Sequence, residues 1–161
     1  MHHVVKNLDL SSQGVWFPIV TSCALVLFAL LMKKRYLSWK EIYLTYGVVG
    51  FVAWIADTLV GNIFDLYNSG KPDVTGLGDF LSFAFIPSSL AVIYLNFRTE
   101  RNKWRLSALF CLISLVIYWV NRWVGYFKDR GWNSFYALLV FAIVYMILLP
   151  LHKRVMRYPD R

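Results

Sequence analysis

Five long runs of apolar residues, separated by short polar segments, dominate the chain. They cover about 15–32, 42–66, 79–97, 105–126 and 132–151. A helix needs about 20 apolar residues to cross the hydrocarbon core of a bilayer, and each run is close to that length. The runs are too long for barrel strands of about 9–11 residues and do not alternate apolar with polar positions. The pattern predicts an all-α fold, one domain over 1–161 built from five transmembrane helices.

The composition narrows the class of protein further. Hydrophobic residues make up 58% of the 161 residues, and charged residues only 16%. Average soluble domains carry about 45–50% apolar and about 25% charged residues. A small domain has too much surface to bury such an excess, which excludes an ordinary soluble enzyme. The first run is followed directly by Lys33, Lys34 and Arg35 without a small-residue cleavage site, so we expect a retained helix and not a cleaved signal peptide.

The basic residues fall mainly on one side of the predicted spans. The first and third connections and the C-terminal tail carry twelve of them: Lys33, Lys34, Arg35, Lys40, Arg98, Arg101, Lys103, Arg105, Lys153, Arg154, Arg157 and Arg161. The opposite side carries five: Lys6, Lys71, Arg122, Lys128 and Arg130. The positive-inside rule then predicts an N-terminus outside and a cytoplasmic C-terminus in the cell membrane. Membrane lipids, and not nucleic acid, are the expected partners of these clusters.

Cysteine and histidine show no metal-ligand spacing. Cys23 and Cys111 lie inside apolar runs, where a buried small hydrophobic side chain is the expected role. The histidines are His2, His3 and His152, near the two ends of the chain. We therefore expect no metal and no cofactor.

Small and polar residues recur at helical spacing within three of the runs. In the second run they are Gly47, Gly50, Trp54, Asp57, Gly61 and Asp65. The third run has Asp79, Ser82, Ser89 and Asn96, and the fourth has Ser107, Cys111, Ser114, Tyr118, Asn121 or Arg122, and Gly125. Such stripes favour close helix packing with hydroxyl and amide bonds across the contact. Alternatively, the glycine-bearing face of the second run mediates homo-oligomerisation.

Asp57 is the most unusual of these residues, because a charged carboxylate in a membrane span is costly. One interpretation is a structural ion pair of Asp57 or Asp65 with Arg122, the basic residue embedded in the fourth run. Another is an unpaired, protonated acid beside lipid. A third is a functional pocket in the outer half of the bundle. That binding site would contain Asp57, Asn62, Asp65, Asp79, Asn121 and Arg122, with walls formed by Trp54, Tyr118 and Trp119.

The segment Gly76-Leu77-Gly78-Asp79-Phe80 resembles the G-x-G-D signature of intramembrane aspartyl proteases. The resemblance implies that Asp79 pairs with a second aspartate, for which Asp65 is the candidate. The family's tyrosine–aspartate motif and its proline–alanine–leucine segment are both absent from this sequence. The alternative is a glycine-rich turn in which Asp79 interacts with the free amide groups at a helix start.

The element Lys128-Asp129-Arg130-Gly131-Trp132-Asn133-Ser134-Phe135-Tyr136, with the basic tail, resembles a family of small multi-pass membrane proteins of spore-forming Gram-positive bacteria. That family carries a K-x-G-W-N-x-x-Y-like element before its last helix and has no assigned activity. From the residues alone, Gly131 permits a turn, Trp132 anchors in the interface, and Asn133 caps the next helix.

These observations favour a non-enzymatic binding, transport-accessory or partner-subunit protein with a polar site in the outer half of the bundle. The first alternative is a membrane-embedded aspartyl hydrolase or lipid-modifying enzyme that uses Asp65 and Asp79. The second is a structural bundle that forms homo-oligomers or binds another membrane protein.

Overall fold

The computed structural model describes residues 8–71 and 75–157, and five helices form most of this part of the chain. They are α1 (Trp16–Leu31), α2 (Trp39–Ile63), α3 (Leu77–Phe97), α4 (Lys103–Trp123) and α5 (Ser134–Met156). The prediction of five helices is confirmed. The last four are long and apolar enough to cross a membrane, whereas α1 is a shorter apolar helix of 16 residues. His2, His3, Lys6 and Arg161 lie outside the described residues.

The helix boundaries differ from the predicted ones where polar residues begin or end a helix. α2 starts three residues early because Ser38 and Glu41 form a capping box, in which Ser38 N donates to Glu41 Oε2 at 2.7 Å. It ends before Asp65, which has a left-handed backbone at φ 49°. α5 continues past residue 151 through a basic last turn that contains Lys153 and Arg154. The apolar pattern alone does not locate these polar turns at the helix ends.

Two short strands join the loops at one end of the bundle. Strand β1 (Tyr67–Ser69) pairs antiparallel with β2 (Phe127–Asp129), and Tyr67 lies opposite Asp129. The sequence predicted turns and no strand here, so the fold is a helical bundle with one small β ladder. The ladder links the α2–α3 connection to the α4–α5 connection, and we call this the hairpin end.

Helix α3 forms the centre of the core. All of its residues from Ser88 to Asn96 are buried, so this part of α3 is enclosed on every side. The polar stripes face inward as packing seams. Tyr94 donates to the carbonyl of Tyr145 at 2.7 Å and bonds to Ser107 at 2.9 Å. Ser114 bonds to Tyr145 in the same way at 2.9 Å.

The basic connections meet at the opposite end of the bundle, which we call the basic end. Asn96, at the end of α3, accepts from Arg35 N and donates to Lys33 O, both at 2.9 Å. Arg157 pairs with Glu41 at 2.8 Å, which brings the end of α5 to the start of α2. The described members of the twelve-residue basic set therefore share one end, as predicted.

Two glycines of the second run, Gly50 and Gly61, pack closely against other residues of this chain. A methyl group on Gly50 would lie 3.2 Å from Ser88 Oγ and 3.3 Å from Ala84 O, both on α3. A methyl group on Gly61 would lie 3.2 Å from the ring of Tyr67. Both glycines are buried against residues of this chain, so neither is exposed as a contact for a second copy. Gly47 alone of the three has open space around it.

Candidate functional site

A polar groove of about 480 Å³ lies at the hairpin end, where α4 stops and α5 begins. Its walls come from the end of α4, from β2 and from the start of α5. The lining residues are Arg122, Asp129, Arg130, Gly131, Trp132, Asn133, Ser134 and Phe135. Most of them belong to the 128–136 element that the sequence marks as distinctive, but only Arg122 belongs to the predicted binding site. The groove is the candidate site.

Arg122 is held in the groove by Asp129. Its Nε lies 2.8 Å from Asp129 Oδ2, and the same oxygen accepts from the Tyr118 hydroxyl at 3.0 Å. The guanidinium carbon lies 5.7 Å from the centre of the Tyr118 ring. Its terminal nitrogens bond to no carboxylate or carbonyl of the described residues, and the side chain is 44% exposed. Arg122 therefore presents free donors to the groove.

Arg130 forms the second cationic wall. Its Nη1 pairs with Asp65 Oδ2 at 2.5 Å, and both side chains are more than half exposed. The backbone N–H groups of Arg130, Gly131 and Trp132 all donate to Leu66 O, at 2.9–3.0 Å. These bonds attach the loop to the end of α2. The structure pairs Arg122 with Asp129 and Asp65 with Arg130, so the predicted ion pair of Asp57 or Asp65 with Arg122 is not found among the described residues.

The start of α5 completes the groove. Asn133 Oδ1 accepts from the N–H groups of Phe135 and Tyr136, at 2.9 and 3.1 Å, so its predicted capping role is confirmed. Trp119 Nε1 donates to Ser134 Oγ at 2.9 Å and ties α4 to α5. Gly131 has no left-handed backbone; instead, a methyl group there would lie 3.0 Å from Leu66. Gly131 lies in a bend, and a side chain there would require Leu66 to shift by a few tenths of an ångström.

Two of the predicted site residues, the half-buried Asp57 and the buried Asp79, lie instead beside tyrosines. The Tyr67 hydroxyl donates to Asp57 Oδ1 at 2.6 Å, and the Tyr126 hydroxyl donates to Asp79 Oδ1 at 2.7 Å. Burial raises the pKa of Tyr67 well above its usual range, and the charges of Asp57 and Asp79 raise it further. Burial and the charge of Asp79 likewise raise the pKa of Tyr126. Both phenols therefore stay protonated and remain donors to the carboxylates.

The structure gives Asp65 and Asp79 different partners. Asp79 Oδ2 accepts from Gly76 N at 3.0 Å, in the first turn of α3, while Asp65 pairs with Arg130 on the surface. The helix-start interpretation of Asp79 is confirmed, and the predicted pairing of Asp65 with Asp79 is not found among the described residues. Asp57, and not Asp65, shares its tyrosine neighbours with Asp79. The charges of Asp57 and Asp79 both raise the pKa of Tyr67 and that of Tyr126.

The other predicted site residues are dispersed. Asn62 is exposed, and Trp54 packs edge-on against Phe80, with 6.0 Å between ring centres. Asn121 is buried and donates to Ile117 O at 3.0 Å, while its Oδ1 has no hydrogen-bond partner among the described residues. Tyr118 and Trp119 contact residues of the groove without lining it.

Sequence reasoning missed Asp129, Arg130, Ser134 and Phe135 as site residues, and it missed Tyr67 and Tyr126 as partners of the buried acids. The first four lie in the distinctive 128–136 element, so a signal for them was present. The tyrosines carried no signal, because Tyr67 is 10 positions from Asp57 and Tyr126 is 47 positions from Asp79, and neither spacing places two residues on one helix face. No family model, curated protein or solved structure matches the chain.

Proposed function

We propose that this chain is a non-enzymatic binding protein of the cytoplasmic membrane, either alone or as an accessory subunit, and that its binding site is the groove at the hairpin end. The proposed orientation places that end outside the cytoplasm and the basic end inside, following the positive-inside rule. In this proposal all five helices are membrane spans. The resemblance of the 128–136 element to a family without assigned activity is compatible with it.

The observation that carries the proposal is the groove itself, with two arginines on its walls. Binding sites are concave and combine apolar surface with a few placed polar groups. Arg122 and Arg130 supply the polar groups, and Trp132 and Phe135 supply apolar surface.

The partners of the carboxylates favour binding over catalysis. A hydrolase of the aspartic-protease type needs two carboxylates that share one proton. Here Asp57 and Asp79 each accept from a tyrosine, and Asp65 pairs with an arginine. The hydrolase alternative with Asp65 and Asp79 therefore loses its structural motivation.

The experiment is native mass spectrometry of the whole protein, purified from its membrane in a mild detergent. We expect a non-covalent adduct on the wild type and its loss in the double variant Arg122→Gln, Arg130→Gln. The matched control is Lys128→Gln, which removes an exposed cation of β2 that does not line the groove. An adduct retained equally by all three proteins, or absent from the wild type, would overturn the proposal.

A further inference from the structure

We infer that the groove binds the phosphodiester group of a glycerophospholipid, with Arg122 as its principal contact. This inference rests on the proposed binding function and adds the class of ligand. A lipid phosphodiester and a free phosphate ion both present phosphate oxygens to a guanidinium. The experiment must therefore distinguish these two ligands.

The charges on the walls favour an anion. Two guanidinium groups and one carboxylate line the groove, which leaves it with one net positive charge. Asp129 Oδ2 lies 2.8 Å from Nε of Arg122, and the terminal nitrogens bond to no carboxylate or carbonyl of the described residues, so they are available to an anion. A planar guanidinium binds a phosphate through two such donors. The N–H groups of Phe135 and Tyr136 are already bonded to Asn133, so the start of α5 supplies no further donors from these two residues.

Arg130 supplies the second contact: its Nη1 pairs with Asp65, and its Nη2 and Nε lie 3.0 and 3.3 Å from the side-chain oxygen of Asn68. Its pair with Asp65 is exposed on both sides, and exposed ion pairs contribute little to stability. A phosphate oxygen in the groove can therefore replace Asp65 as the partner of Arg130. Asp129 is much less exposed than Asp65 and holds Arg122 in position.

The position of the groove favours a lipid over a soluble phosphate. The apolar length of α4 ends at Trp123 and that of α5 begins at Ser134, and the groove lies between these two ends. Lipid phosphates lie at this depth, just outside the hydrocarbon core. Exposed aromatic side chains surround the groove, among them Trp119, Trp123 and Phe135, which is typical of a membrane interface. Acyl chains can then follow the exposed apolar surfaces of α4 and α5.

The test titrates the delipidated full chain in detergent with three probes: dioleoyl phosphatidylglycerol, dioleoylglycerol and inorganic phosphate. Binding is read from native mass spectra and from the thermal unfolding midpoint. We expect phosphatidylglycerol alone to bind at micromolar concentration, and Arg122→Gln to weaken it about tenfold, equivalent to about 1.4 kcal/mol. Arg122→Lys retains the charge but not the paired donors, so we expect intermediate binding. If Arg122→Gln does not fold, Arg122→Lys alone tests the contact.

Three results would overturn the inference. The first is that dioleoylglycerol binds as tightly as phosphatidylglycerol, and the second is that inorganic phosphate does so. The third is that both Arg122 variants bind phosphatidylglycerol as tightly as the Lys128→Gln reference. If the lipid does not bind but the purified protein still carries an arginine-dependent adduct, the ligand class is wrong and the proposed binding function stands.

Discussion

The hydroxyl of Tyr126 donates to Asp79 across 47 positions of sequence, and both side chains are buried. The bond joins the segment that follows α4 to the first turn of α3. It lies next to Gly78, on which a methyl group would come within 2.4 Å of the same hydroxyl. One phenol therefore satisfies a buried carboxylate and fills the space that a glycine leaves open.

Removing this hydroxyl should destabilise the whole bundle. In Tyr126→Phe, Asp79 retains the bond from Gly76 N but loses the phenol, and a buried acceptor without its donor costs about 1–3 kcal/mol. Thermal unfolding in detergent, followed by near-ultraviolet circular dichroism, measures the loss. Asp79→Asn and the double variant complete a thermodynamic cycle. Strictly additive losses would contradict a direct bond between the two side chains.

Adding a methyl group at Gly78 should be far worse than adding one at Gly47. In Gly78→Ala the new carbon would lie 2.4–2.8 Å from Tyr126 atoms and 3.0 Å from Val15, and overpacking of this kind costs about 1–3 kcal/mol. Gly47 is an exposed helical position with no neighbouring atom within 4 Å, so alanine there should be neutral or stabilise by up to about 1 kcal/mol. Unfolding midpoints of the two variants test this difference. A Gly78→Ala protein as stable as Gly47→Ala would show that this packing is wrong.

The apolar runs were sufficient to predict five helices, because burial and lipid exposure both require long apolar segments. They could not predict the π-helical turns Thr58–Ile63, Leu81–Phe85 and Val144–Leu148, which depend on how side chains of neighbouring helices fit. Nor could they predict the β ladder, whose strands are three residues long and whose paired residues are 58 or more positions apart. Strands this short carry no alternation that a pattern can detect.

The candidate site was only partly predictable, because local sequence shows which residues are unusual but not which residues they contact. Arg122 stands out in a span because an embedded cation is costly, and that argument requires only local sequence. Its partner Asp129 lies in a loop, where an acid is ordinary. The choice between Asp57, Asp65 and Asp129 depends on the ladder, since β2 places Asp129 beside Arg122 and the loop after it places Arg130 beside Asp65.

At the basic end, Asn96 should be the most sensitive amide of the chain. It is fully buried, its Oδ1 accepts from the N–H groups of Arg35 and Tyr36, and its Nδ2 donates to Lys33 O. Asn96→Ala leaves several backbone groups of the α1–α2 connection without partners, so we expect a loss of at least about 2 kcal/mol. The control is Asn133→Ala, which removes an exposed helix cap worth about 1 kcal/mol. Equal unfolding midpoints for the two variants would contradict this ranking.

Acid should weaken the hairpin end through Asp9. Burial raises the pKa of Asp9, but hydrogen bonds from Ser12 and Lys71 and the charge of Lys71, 3.1 Å away, outweigh burial and bring the pKa below its ordinary value of 3.8. A carboxyl group with a lowered folded pKa stabilises the protein above its unfolded pKa and loses that contribution as pH falls through the folded one. The difference in unfolding free energy between wild type and Asp9→Asn should therefore be constant above about pH 5 and shrink below pH 4.

Asp65→Asn, which removes an exposed ion pair, should give a small difference throughout. An Asp9→Asn difference that does not change between pH 7 and pH 3 would rule out a lowered pKa for Asp9 in the folded protein.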